Sequence, residues 1–65
     1  MTIVLNGIET DVAASALDQI LGELGYGGAK IATAVNGNFV PLAMRPETAL
    51  HPGDRLEVIA PLQGG

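Results

Sequence analysis

The residue whose chemistry stands out in this 65-residue sequence is the last one, Gly65, preceded by Gly64. Glycine has no Cβ, so two in succession can thread a narrow channel and present a carboxylate with no side chain beside it. A carboxylate is a poor acyl electrophile. Attack of its oxygen on the α-phosphate of ATP, with loss of pyrophosphate, gives an acyl adenylate. A sulfur nucleophile can then displace AMP and leave –COSH, which ionises readily and attacks electrophiles better than a carboxylate does. The sequence has no cysteine, so no disulfide, thiol nucleophile or cysteine metal site can form. The terminus is therefore the place where this chain could carry transferable sulfur. A frayed end or an expression scar would also read Gly-Gly, so the weight falls on what lies upstream.

Other chemistry is poorly supported. Ser15 is the single serine and His51 the single histidine, so a catalytic triad would need both. Ser15 reads better as a helix cap, and His51 as a solvated residue ahead of Pro52-Gly53. The cluster Gly22, Gly25, Gly27, Gly28 and Lys30 lacks the G-K-[ST] ending of a phosphate loop, and it follows a helix instead of opening one. The acids are spread singly, and no metal site is expected. Seven acids face three bases, for a formal net charge of −4. Lys30, Arg45 and Arg55 form no basic stripe, which argues against nucleic acid. No apolar run approaches the roughly 20 residues that span a bilayer. The start, Met1-Thr2-Ile3-Val4, does not resemble a signal peptide. A cytoplasmic protein, monomeric when free, is expected.

The elements that must carry such a terminus are marked by their punctuation. Thr2 to Leu5, Asn6-Gly7 and Ile8 to Val12 form a hairpin pattern, because a two-residue turn needs positive φ at both positions. That turn pairs Leu5 with Ile8, Ile3 with Thr10 and Met1 with Val12, and puts these six on one face. Ser15 is placed as the helix cap, with Asp18 near the positive end of the dipole. Leu17, Ile20, Leu21 and Leu24 share one helical face, and Gly25 is the stop. Gly22, inside the helix, suggests close packing on a sheet.

Ile31 to Val35, Asn36-Gly37 and Asn38 to Val40 give a second hairpin. Ile31, Val35 and Val40 are assigned to the core, being bulkier and β-branched. If Ala32, Ala34 and Phe39 then lie on the open face, they form an apolar patch suited to docking a partner; Phe39 as a core residue or a scattered surface aromatic is the other reading. Met44 to Leu50 reads as irregular or a single turn, with Pro46 at a first helical position. Pro52-Gly53 suits a type II turn, and Arg55 to Ile59 a last strand with Leu56 and Val58 inward and Glu57 outward. Pro61 ends it. The order is β-β-α-β-β-β, an α+β domain with a mixed sheet of about four to five strands on one helix. Residues 1–60 form the body, and 61–65 a flexible tail ending in Gly-Gly.

Three segments together resemble a known family. They are Ala34-Val35-Asn36-Gly37-Asn38-Phe39-Val40-Pro41, Pro52-Gly53-Asp54-Arg55-Leu56-Glu57-Val58-Ile59 and Leu62-Gln63-Gly64-Gly65, following the early Asn6-Gly7 turn. In this order and at this length the chain resembles the ThiS family, sulfur carriers of thiamine thiazole biosynthesis with the β-grasp, ubiquitin-like fold. The resemblance implies that an E1-like adenylyltransferase uses ATP to adenylate Gly65. Sulfur from a persulfide donor then makes the thiocarboxylate, which supplies thiazole synthase. It also implies that Leu62, Gln63 and Gly64 thread into partner active sites, and that the chain is a protein cosubstrate with no bound cofactor. One departure is Leu42, where the family commonly has arginine after Val-Pro; the nearest arginine here is Arg45. Three alternatives stay open: the small subunit of molybdopterin synthase, a ubiquitin-like modifier conjugated through Gly65, and a plain β-grasp binding module.

Overall fold

A computed structural model describes residues 1–27 and 29–60. The expected tail, with Leu62, Gln63, Gly64 and Gly65, lies outside the described residues. The first hairpin joins β1 (Thr2–Leu5) to β2 (Ile8–Asp11). Asn6 and Gly7 adopt φ of 47° and 85°, as the turn requires. The register matches expectation: Leu5 faces Ile8 and Ile3 faces Thr10. Met1 and Val12 continue it, exchanging bonds of 2.7 and 2.9 Å. Only Ile3 and Val12 of this face are fully buried, while Ile8 beside the turn stays exposed. The core face tapers toward the hairpin end.

Helix α1 spans Leu17–Glu23. Leu17, Ile20 and Leu21 are buried, each contributing about 2 kcal/mol of apolar burial. The expected cap is corrected. Ala16 is the N-cap and no side chain caps the helix. The Leu17 N–H instead donates to the Thr48 carbonyl at 2.8 Å, and the Leu50 N–H donates to the Ser15 carbonyl at 2.8 Å. A bridge between Ala16 and Ala49 thus takes the place of the serine hydroxyl, and Ser15 is exposed. The stop is as expected. Gly25 has φ of 89°; its N–H reaches the Gly22 carbonyl at 3.2 Å while Tyr26 reaches the Leu21 carbonyl at 2.8 Å, a Schellman closure. Gly22 does not pack on the sheet: outside its own helix, no atom of the described residues lies within 4 Å of where its Cβ would stand.

The second hairpin joins β3 (Ala32–Val35) to β4 (Asn38–Val40) through Asn36-Gly37, with φ of 51° and 83°. A 3-10 helix, Leu42–Glu47, follows. It is longer than expected, and Pro46 lies inside it, not at its start. Pro41, extended at ψ of 157°, sets the start, and its carbonyl accepts the Met44 N–H at 2.9 Å. His51-Pro52-Gly53-Asp54 turns with Gly53 at φ of 85° and closes with the Asp54 N–H on the His51 carbonyl at 3.0 Å, as the type II reading expects. Strand β5 is Arg55–Ile59, with Leu56 and Val58 buried.

The sheet order is β2-β1-β5-β3-β4, and β5 is its central strand. It runs parallel to β1 and antiparallel to β3. One helix covering one face of this mixed sheet gives the expected two-layer α+β architecture. Both hairpin asparagines turn their side chains onto β5. The Asn6 Oδ1 accepts the Val58 N–H at 2.9 Å, and its Nδ2 donates to the Val58 carbonyl at 3.2 Å. The Asn36 Oδ1 accepts the Arg55 N–H at 2.9 Å, and its Nδ2 donates to Asp54 Oδ1 at 3.1 Å. The strand that leads to the chain's end is therefore bonded along both edges and fastened by two turns.

Candidate functional site

The open face of the sheet carries the candidate docking residues. Ala34 lies opposite Phe39 and Ala32 opposite Ile59. Phe39 is 68% exposed, Ala32 is exposed and Ala34 half-buried. The structure thus places all three on the outer face, as alternation with Ile31, Val35 and Val40 requires. Two members were missed. Ile59, 62% exposed, extends the patch across β3 onto β5, and Leu42, 73% exposed, stands at the start of the 3-10 helix. The signal for Ile59 was its parity with outward Glu57. None existed for Leu42, whose helix was unexpected. Four large or small apolar side chains in register on a solvent face cost free energy in the isolated chain unless another surface covers them.

The inner face of β3 holds a polar element that alternation alone did not reveal. Thr33, 1% exposed, sits between Ile31 and Val35. Its hydroxyl donates to the Val40 carbonyl at 2.9 Å and accepts from Arg45 Nε at 3.2 Å. Arg45 Nη2 also donates to the Ile31 carbonyl at 2.8 Å. Arg45 is itself only 8% exposed. The arginine nearest to the expected family position therefore braces the 3-10 helix against β3, and leaves Leu42 outside.

The titratable groups elsewhere act as staples. The Glu23 carboxylate accepts the N–H groups of Ala13 and Ala14, and these bonds hold its pKa below the ordinary value of 4.5. Asp54 is held below 3.8, first by the His51 N–H and then by the Asn36 amide. Both depressions come from hydrogen bonds to the charged form, and neither group lies on the apolar face. His51 is solvated, with Nδ1 at 3.6 Å from Asp54 Oδ2. Among the described residues no three acidic or histidine side chains could hold a metal ion, and no helix is long and apolar enough to cross a membrane. What the described body offers is a surface adjoining the end of its last strand.

The sequence model of the ThiS family matches residues 3–65. The fold resembles the crystal structure of a thiamine biosynthesis protein (ThiS) from Geobacter metallireducens, with a TM-score of 0.84, 25% identity and full coverage of both chains. The chain is also 38% identical, over 66 aligned positions, to part of a protein named thiazole synthase from Paramagnetospirillum magneticum. The match takes in all of this chain but spans only 20% of that protein's length.

Proposed function

The chain belongs to the ThiS family, small sulfur carriers of thiamine biosynthesis, and we propose that it works as a protein cosubstrate through the carboxyl group of Gly65. The observation that carries this reading is that the family match runs to residue 65 and so takes in Gly64-Gly65. An E1-like adenylyltransferase joins the Gly65 carboxylate to AMP and releases pyrophosphate from ATP. The outer sulfur of a persulfide donor displaces AMP to give an acyl disulfide, and a thiol then attacks the donor's own sulfur, forming a disulfide with it and releasing the thiocarboxylate. Leu62, Gln63 and Gly64 thread the group into each partner's active site, and thiazole synthase takes the sulfur. The likeness to part of a protein named thiazole synthase favours that acceptor.

The patch of Ala32, Ala34, Phe39 and Ile59 is the face that docks the activating enzyme. Five residues, Pro61 to Gly65, follow the described body, and an extended chain of that length spans at most about 17 Å. A docked body must therefore sit within that distance of the nucleotide. The experiment is an intact mass after incubation with ATP, a sulfur donor and the adenylating enzyme. A gain matching one oxygen exchanged for sulfur, confined to Gly65 and lost when Gly64 and Gly65 are deleted, is expected. An unchanged mass, or reductant-resistant conjugates to lysines of other proteins, refutes the carrier role. Phe39→Asp, folded, raises KM for the carrier in the adenylation step; an unchanged KM removes the patch from docking.

A further inference from the structure

Beside the open-face patch lies a cleft of about 750 Å³ between α1, the loop after it, β3 and the 3-10 helix. Its walls are largely apolar, with Leu21, Tyr26 and Ile31 among them and Leu42 and Ile59 at the side of the patch. Two of the chain's three basic residues, Lys30 and Arg45, line it together with Asp18. In a protein of net charge −4, this cleft concentrates the positive charge. Arg45 is the informative member. It is 8% exposed, and its two described acceptors are neutral, the Thr33 hydroxyl and the Ile31 carbonyl. No described carboxylate lies within ion-pair distance of it. A guanidinium has five N–H donors, and no described buried nitrogen lacks a partner. Its described bonds occupy two of these donors, and Arg45 lines the cleft.

A cation withdrawn from water without a counter-charge is costly, and a carboxylate placed against it recovers part of that cost. We propose that this cleft receives an acidic side chain, flanked by apolar residues, from the partner enzyme that docks on the open face. The carboxylate sits against Arg45 and Lys30 and away from Asp18, and its apolar neighbours cover Leu42 and Ile59. A protein fits better than a free metabolite because the cleft shares Ile59 and Ala32 with the patch. A small molecule filling the cleft would leave Phe39 bare. The inference rests on the docking reading above and adds the chemistry of the partner's contact.

The test is steady-state adenylation by the E1-like enzyme with the full-length carrier as varied substrate. Lys30 is exposed, so Lys30→Glu leaves the body folded. It raises KM by about tenfold with kcat unchanged, because attraction becomes like-charge repulsion, and Lys30→Arg restores the wild-type value. Arg45→Met, checked for folding by its melt, raises KM in the same way. Unchanged KM in Lys30→Glu alongside a raised KM in Phe39→Asp overturns the cleft and leaves the docking face standing. Unchanged KM in both, or a wild-type chain that is not adenylated at all, defeats the docking reading and this inference with it. Hexanoate that shifts the Lys30 and Ile31 amide signals without raising KM assigns the cleft to a free carboxylate and overturns the protein partner.

Discussion

Removing the Asn6 side chain tests how the central strand is held. Asn6 spends both ends of its amide on the backbone of Val58, at 2.9 and 3.2 Å, in a partly buried place. It does so from φ of 47°, a region that costs other L-residues more than asparagine. Two variants separate these roles. Asn6→Gly keeps the turn and loses both bonds, at about 1 kcal/mol each, so it costs about 2 kcal/mol. Asn6→Ala adds a left-handed alanine and costs about 3 kcal/mol in all. For a domain of this size, that larger loss lowers Tm by about 12–24 °C.

The readouts are urea unfolding followed by circular dichroism, and hydrogen exchange at the Val58 amide. The exchange measurement matters because it reports on β5 directly. Asn36 supplies the comparison. It makes the same number of side-chain bonds, to Arg55 and Asp54, but in exposed positions, where water replaces them readily. Asn36→Gly should cost about 1 kcal/mol. Equal losses at the two asparagines, or a Val58 amide as protected in Asn6→Gly as in the wild type, would show that the turn geometry alone fixes the strand.

Two glycines in or beside α1 should respond in opposite directions. Gly22→Ala places a methyl in open space inside a helix and stabilises by up to about 1 kcal/mol, while Gly25→Ala puts a side chain at φ of 89° and costs about 1 kcal/mol; urea midpoints that move the same way refute the reading. Glu23 supplies acid sensitivity. Its folded pKa lies below 4.5, so its stabilising contribution is complete above that pH and is lost as pH falls through the lowered value. Glu23→Gln should flatten this part of the acid limb and leave the neutral-to-alkaline slope alone; a curve unchanged below pH 4.5 counts against the staple.

What could be read from sequence was whatever is decided locally. Asn6-Gly7, Asn36-Gly37, Gly25 and Pro52-Gly53 each name a backbone conformation that few residues adopt, and positive φ appears at each. Alternation then set the register of the first hairpin and, with the bulk of Ile31, Val35 and Val40, favoured Phe39 outside. Most failures are cases where a distant group took over a local role. Ser15 has the chemistry of a cap, but the Leu17 N–H it would stabilise by continuing the helix is claimed by Thr48. The contacts between Asn6 and Val58 join residues 52 positions apart, and no pattern of spacing marks them. Nothing in the spacing marked Arg45 for the interior, where the Thr33 hydroxyl and the Ile31 carbonyl supply its acceptors. Gly22 shows the reverse error: a costly residue invited a packing reason that the open space around it does not provide.

The placement of Ile59 joins the proposed docking face to the proposed carrier chemistry. It ends β5, faces Ala32 across the ladder and lies exposed on the outer face. A partner that covers this patch therefore grips the residue two before Pro61, and by doing so fixes where the last five residues begin. Were the patch on β2 instead, at the far edge of the sheet from β3 and β4, docking could tilt about a remote point and leave the origin of the tail free to wander. With Ile59 held, positional error at the carboxyl group arises only within a chain of at most about 17 Å, and glycine at its last two positions lets that chain enter whatever channel lies ahead. Tension applied to Gly65 would pass along β5, whose ladder bonds to β1 and β3 lie across the direction of pull and must yield together, not one at a time. On the proposed reading, firm anchorage of the central strand serves one requirement: the body must stay folded while the chain's end is drawn into another protein.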